Sequence, residues 1–153
     1  MRRLAIAWRM AVAAAAVFAL DRATKWLVVE WLDLAHVGRI EVLPPYLTLV
    51  MAWNTGVNFG IASEANLRWL LIGVAVGVSL ALALWVVLRR KRRVVVAAGL
   101  LIGGALGNAF DRVIYGAVAD FLNMSCCGIQ NPYAFNVADV AIFLGAVVIA
   151  LRA

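Results

Sequence analysis

Charge is scarce in this chain, at 14% of residues, while hydrophobic residues make up 66%. A soluble domain carries roughly a quarter charged residues. So little charge excludes a body solvated on all sides and points to a membrane protein. Histidine occurs once, as His36, and cysteine twice, as the adjacent Cys126 and Cys127. A vicinal cysteine pair closes only a strained ring and cannot staple distant segments, and it lacks the spacing of a metal knuckle. No HExxH, no glycine-rich phosphate loop before a helix and no serine motif with a nearby base is present. A hydrolase built from this chain has carboxylates and water to work with.

What the chain has in quantity is apolar runs. A spanning helix needs about 20 largely apolar residues to cross about 30 Å of hydrocarbon. Four stretches are expected to span, at 10–32, 67–88, 94–114 and 135–151, within a single domain over 1–153. The basic start and small residues of the first stretch have the look of a cleavable leader. The apolar pattern resumes at "WLVVEWL", which favours a retained helix. The fold class is therefore an all-α, multi-pass membrane protein.

Lysine and arginine set the orientation. Arg2, Arg3, Arg9, the block Arg89, Arg90, Lys91, Arg92 and Arg93, and Arg152 fall on one side, which reads as the cytoplasm and holds both termini. A basic block can also mark nucleic-acid binding. Because this one joins two apolar segments, it is read as topological and no nucleic-acid partner is expected. The outer connections, 33–66 and 115–134, are poor in basic residues, and Trp26, Trp31, Trp53 and Trp69 gather at their boundary. Within the first connection, "IEVLPPYLTLVMAWN" predicts one or two short strands and "GIASEANLRWL" a short interfacial helix.

An ionisable group inside a spanning helix costs about 3 kcal/mol on insertion scales. Asp21, Arg22, Lys25, Asp111, Arg112, Asp120 and Asp139 nevertheless fall at one depth, near the outer boundary, with Asn54, Asn58, Asn108, Asn123 and Asn136. Simple structural readings exist for some. Asp21 and Lys25 have helix-pair spacing, and Asp111 and Arg112 could be anchors that snorkel outward. Asp120 and Asp139 fit such readings less well, because neither has a basic residue within four positions. If they meet, burial and mutual repulsion raise the pKa of the pair, and one proton is held between them near neutral pH. One carboxylate then takes a proton from water while the other donates to a substrate carbonyl or leaving amine. Gly99, Gly103 and Gly107, spaced by four, line one face of the third span and allow close helix approach. Gly116 is a candidate C-cap and Asn136 a candidate N-cap. These caps would put Asp120 on an extended segment and Asp139 in a first helical turn. A proton-coupled transporter also uses intramembrane carboxylates, but the inner halves of the later spans are almost wholly apolar. A helix-binding subunit would account for the glycines and leave the clustered polar groups without a purpose.

Five blocks, "DRATK" (21–25), "NTGVNFG" (54–60), "GGALGNAFDR" (103–112), "GAVADF" (116–121) and "FNVAD" (135–139), occur in an order that resembles bacterial lipoprotein signal peptidase, signal peptidase II. The resemblance covers nearly the whole chain. It implies a membrane aspartyl endopeptidase of the bacterial inner membrane, with its site near the outer surface. The substrate it implies is a prolipoprotein, cut before a cysteine that already carries diacylglycerol. It matches the catalytic pair to Asp120 and Asp139, and supporting or substrate-binding positions to Asp21, Lys25, Asn54, Gly56, Asn108, Asp111, Arg112 and Asn136. It also implies a small extracytoplasmic β-sheet, an interfacial helix, contact with membrane lipid, inhibition by globomycin-type cyclic peptides, and neither metal nor cofactor. A monomer is expected. Asn58 and the Cys126–Cys127 pair depart from the family pattern.

Overall fold

The computed structural model describes residues 3–56 and 64–153, without the side chains of 64–66. Helix α1 runs from Arg3 to Lys25 and continues as a π-helical segment over Trp26–Trp31. A single turn, α2, follows at Leu34–Val37. Strands β1 (Arg39–Leu43) and β2 (Leu47–Asn54) come next, then α3 (Glu64–Leu88) and a 3-10 turn at Arg92–Val94. Helix α4 (Val95–Tyr115), strand β3 (Val118–Met124) and helix α5 (Val137–Arg152) complete the chain.

Helix α4 is the central post, and glycine is the reason its neighbours come so close. A Cβ added at Gly99 would stand 2.6 Å from the Ala13 Cβ and 2.7 Å from the Met10 carbonyl oxygen, so α1 lies against the backbone of α4. On another face, a Cβ at Gly104 would meet the Ala138 oxygen of α5 at 2.5 Å. Gly145 of α5 returns the contact against Ala97 and Leu101. Such small-residue seams suit helices in lipid, where close van der Waals packing replaces the hydrophobic effect as the force between them. Ile6, Met10, Val86, Val94, Val95, Ala98 and Ile102 form the apolar cluster at the basic end. Helix α3 is far less buried than α4 and presents most of its surface outward.

The expected spans shift at their edges. The first begins at Arg3, earlier than position 10, and its apolar stretch extends to Trp31. Leu67–Leu88 and Arg92–Tyr115 are also long and apolar enough to cross a membrane, which makes three candidate spans among the described residues. The fourth expected span is α5, with 16 residues. Its length is about 24 Å, short of the hydrocarbon thickness of about 30 Å. The late start has a local cause: Phe135 is still bridged to Leu122 of β3, and Asn136 caps the helix.

The strands in the first outer connection are present, and β3 joins them in an antiparallel sheet of order β1-β2-β3. Ile40 faces Leu49, Thr48 faces Asn123, and Ala52 faces Asp120. The β2–β3 ladder is irregular between Leu49 and Ala52, a kink of the sort that re-aims a side chain beside a site. Beneath the sheet, Val28, Leu34, Leu49 and Phe121 form a second apolar cluster. The helix expected over 60–70 lies partly outside the described residues. From Glu64 onward it is continuous with α3. Asn58 also lies outside the described residues.

Candidate active site

Two helix ends and a strand carry the polar groups. Gly116 ends α4 at φ +80°, a left-handed conformation that glycine adopts without steric cost. The chain turns there and delivers Asp120 on β3, with 4% of its surface exposed. At the start of α5, Asn136 and Asp139 form a reciprocal capping box. The Asn136 side chain accepts the Asp139 N–H at 3.0 Å, and Asp139 Oδ2 accepts the Asn136 N–H at 3.1 Å. The expected caps at Gly116 and Asn136 are thus both in place, and they account for where the two aspartates sit.

Each carboxylate is held by amides. Asp120 Oδ1 accepts from Asn136 Nδ2 at 2.6 Å, and its Oδ2 accepts from Asn54 Nδ2 at 3.1 Å. Asp139 Oδ1 accepts from Asn108 Nδ2 at 2.8 Å. Asn136 therefore donates to both carboxylates, to Asp120 through its side chain and to Asp139 through its backbone. Its Nδ2 also reaches Asn108 Oδ1 at 3.2 Å, so both ends of the capping residue join the network. Asn54 is fixed in turn, its Oδ1 accepting the Gly56 N–H at 3.0 Å in a turn that needs glycine at φ +99°.

Asp120 lies on the strand, outside the spanning helices. Burial raises its pKa and the nearby charge of Asp139 adds to the rise, while hydrogen bonds from Asn54 and Asn136 and the charge of Lys25 oppose it. The outcome is a carboxyl pushed up to about 6. Arg112 is half-buried, donates to the Asn108 carbonyl at 3.3 Å and stands in the field of Asp120, Asp111 and Asp139.

Asp21, Lys25 and Asp111 form a fully buried group behind this layer. Lys25 Nζ lies 2.9 Å from Asp21 Oδ2 and 2.6 Å from Asp111 Oδ2, and donates to Asn108 Oδ1 at 3.2 Å. The helix pair expected of Asp21 and Lys25 is present. Asp111 does not snorkel outward: it is 0% exposed, because two cations reach it from α1. Arg22, which the motif pattern did not single out, is one of them. It pairs with Asp111 and Asp21 and stacks 5.0 Å from the Phe110 ring. Its signal in the sequence was a third ionisable residue within one turn of the first span. His36 sits on the exposed α2 turn against Asp33, and neither cysteine is bonded to the network.

The site thus draws on α1, β2, α4, β3 and α5, which are the same segments that carry the five sequence blocks. A family model for signal peptidase II matches residues 13–153. The chain belongs to the signal peptidase II family. It is 44% identical over 134 residues to a lipoprotein signal peptidase of Methylobacterium sp. (strain 4-46), covering 86% of this chain and 80% of that one. It is 41% identical over 131 residues to a lipoprotein signal peptidase of Rhodopseudomonas palustris (strain ATCC BAA-98 / CGA009), covering 82% and 79%. A solved bacterial membrane enzyme, determined by the in meso method at 1.9 Å, superposes with a TM-score of 0.79 at 28% identity over 93% of this chain and 90% of that one. Membership of the signal peptidase II family makes the chain a protease acting on lipoprotein signal peptides in a bacterial membrane.

Proposed function

We propose that the chain is an aspartyl endopeptidase in which Asp120 and Asp139 jointly activate one water. The observation that carries this reading is the sharing of Asn136 by the two carboxylates, one of which has a raised proton affinity. In the proposed reaction one carboxylate takes a proton from water as the water oxygen attacks the scissile carbonyl carbon. The other, protonated, hydrogen-bonds the carbonyl oxygen and then supplies a proton to the leaving amine as the C–N bond breaks. Asp120 suits the proton-holding role in mildly acidic conditions. Asn54, Asn108 and Asn136 fix the carboxylates, and Arg112 orients the peptide backbone or the lipid part of the substrate.

The substrate is a diacylglyceryl-modified prolipoprotein, cleaved before its lipidated cysteine. The lipid would hold the scissile bond at the membrane surface, which suits a site at the end of the spanning helices. In this reading the short α5 serves as the fourth span. Both termini are cytoplasmic, the enzyme works as a monomer, and globomycin-type cyclic peptides occupy the same site. Asp120→Asn and Asp139→Asn should each lower turnover of a lipidated precursor by about 1,000-fold or more while the protein stays folded. The check is a gel-shift assay on purified enzyme, and near-normal turnover in either variant would sink the dyad.

A further inference from the structure

The two aspartates have something in common beyond Asn136. Each follows an alanine that is 0% exposed, and each alanine's backbone N–H is taken by a different buried carboxylate. Asp111 Oδ2 accepts the Ala119 N–H at 3.2 Å, one residue before Asp120. Asp21 Oδ1 accepts the Ala138 N–H at 3.2 Å, one residue before Asp139. Ala138 packs on the α4 glycines: a Cβ added to Gly107 would lie 3.7 Å from the Ala138 Cβ, and one added to Gly104 would lie 2.5 Å from the Ala138 oxygen. The tripeptide Val-Ala-Asp occurs twice, at 118–120 and 137–139, and both copies carry the same kind of attachment.

Both attachments end on one ammonium. Lys25 is 1% exposed and bonds Asp21, Asp111 and Asn108. The contacts to Asp21 and Asn108 are hydrogen bonds and the one to Asp111 is an ion pair. Asn108 in turn donates to Asp139. Three routes thus run from one nitrogen into the pair: through Asp111 and Ala119 to Asp120, through Asp21 and Ala138 to Asp139, and through Asn108 to Asp139. Arg22 also pairs with Asp21 and Asp111, while Lys25 adds the bond to Asn108.

We propose that Lys25 is a positioning residue that sets the spacing of the Asp120 and Asp139 carboxylates by tying together the backbone anchors Asp21 and Asp111, a role that rests on the two-aspartate reading above. Lys25 is sealed from substrate, so its loss acts on kcat and leaves KM nearly unchanged. A misplacement of about 1 Å in a reacting group costs on the order of 100-fold, and that is the expected fall in kcat for Lys25→Met. Charge balance alone is tested by Lys25→Met combined with Asp111→Asn, which removes one charge of each sign. The double variant should regain thermal stability without regaining kcat. Where Lys25→Met fails to fold, a second pair decides. Asp111→Asn keeps an oxygen for the Ala119 N–H and should retain about 10-fold or more turnover over Asp111→Ala.

Amide hydrogen exchange separates the outcomes. Anchoring predicts faster exchange at Ala119 in Asp111→Ala and at Ala138 in Asp21→Ala. Unchanged exchange at both, equal losses in Asp111→Asn and Asp111→Ala, or a double variant whose kcat recovers with its stability would each overturn the proposal. If Asp120→Asn keeps its turnover, the two-aspartate reading falls instead, while exchange at Ala119 and Ala138 still decides the anchoring.

Discussion

Burial and the charge of Asp139 lift the Asp120 carboxyl from 3.8 to about 6, so the folded chain holds a proton there over a range in which the unfolded chain has released it. Stability from this group is fully present below the unfolded value and is lost as pH rises through about 6. Asp120→Asn removes the titration. The melting temperature of the variant relative to wild type should therefore be highest at pH 8 and fall as pH is lowered from 8 to 4. A difference that stays flat with pH would contradict the raised proton affinity. The group proposed for catalysis is thus one whose ionised form the fold disfavours, as expected of a functional carboxyl in a poorly solvated place. At this scale the sequence was informative about residue types. Asp120 and Asp139 stood out because no cation lay near them along the chain. Asp111 did not, since its partners Lys25 and the Ala119 N–H belong to other elements.

At the scale of elements, local rules were legible and non-local pairing was not. Glycine at 116 and asparagine at 136 announce helix ends by their own backbone and side-chain chemistry, and both ends are where that chemistry puts them. The bridge between Leu122 and Phe135 shortens α5, but it depends on the register of β3, which no single segment encodes. The glycines of α4 show the same division. Their spacing revealed a close-packing face, while the structure reveals two: Gly99 and Gly103 meet α1, and Gly104 meets α5. A Cβ at Gly104 would stand 2.5 Å from the Ala138 oxygen, one residue from Asp139. Gly104→Ala should therefore push α5 away, costing about 1–3 kcal/mol as overpacking does and about 10-fold or more in turnover. Gly77→Ala provides the contrast, because nothing lies within 4 Å of a Cβ added there. Melting temperature and turnover, measured on both variants, should fall for Gly104→Ala and hold for Gly77→Ala.

The whole molecule is polarised along α4. That helix has 21 residues, so about 32 Å separates its ends. At one end a cavity of about 320 Å³ is lined by Arg90, Lys91, Arg92, Arg93 and Arg152. At the other end are the sheet, the aspartates and the turn that carries Cys126 and Cys127. Basic residues in short connections stay in the cytoplasm, so the sheet end should face outward, where a lipid-anchored precursor would present its cleavage site. The cysteines make this testable without any change to the site. They are the chain's two cysteines, both are exposed, and their sulfurs lie 2.6 Å apart. After treatment with a membrane-impermeant reductant, an impermeant maleimide added to intact spheroplasts should label the wild-type chain. A variant with Cys126→Ser, Cys127→Ser and Arg90→Cys should stay unlabelled until the membrane is permeabilised. Labelling of Arg90→Cys in intact spheroplasts, with protection of Cys126 and Cys127, would invert the molecule. It would place the aspartates on the side where the basic block is expected.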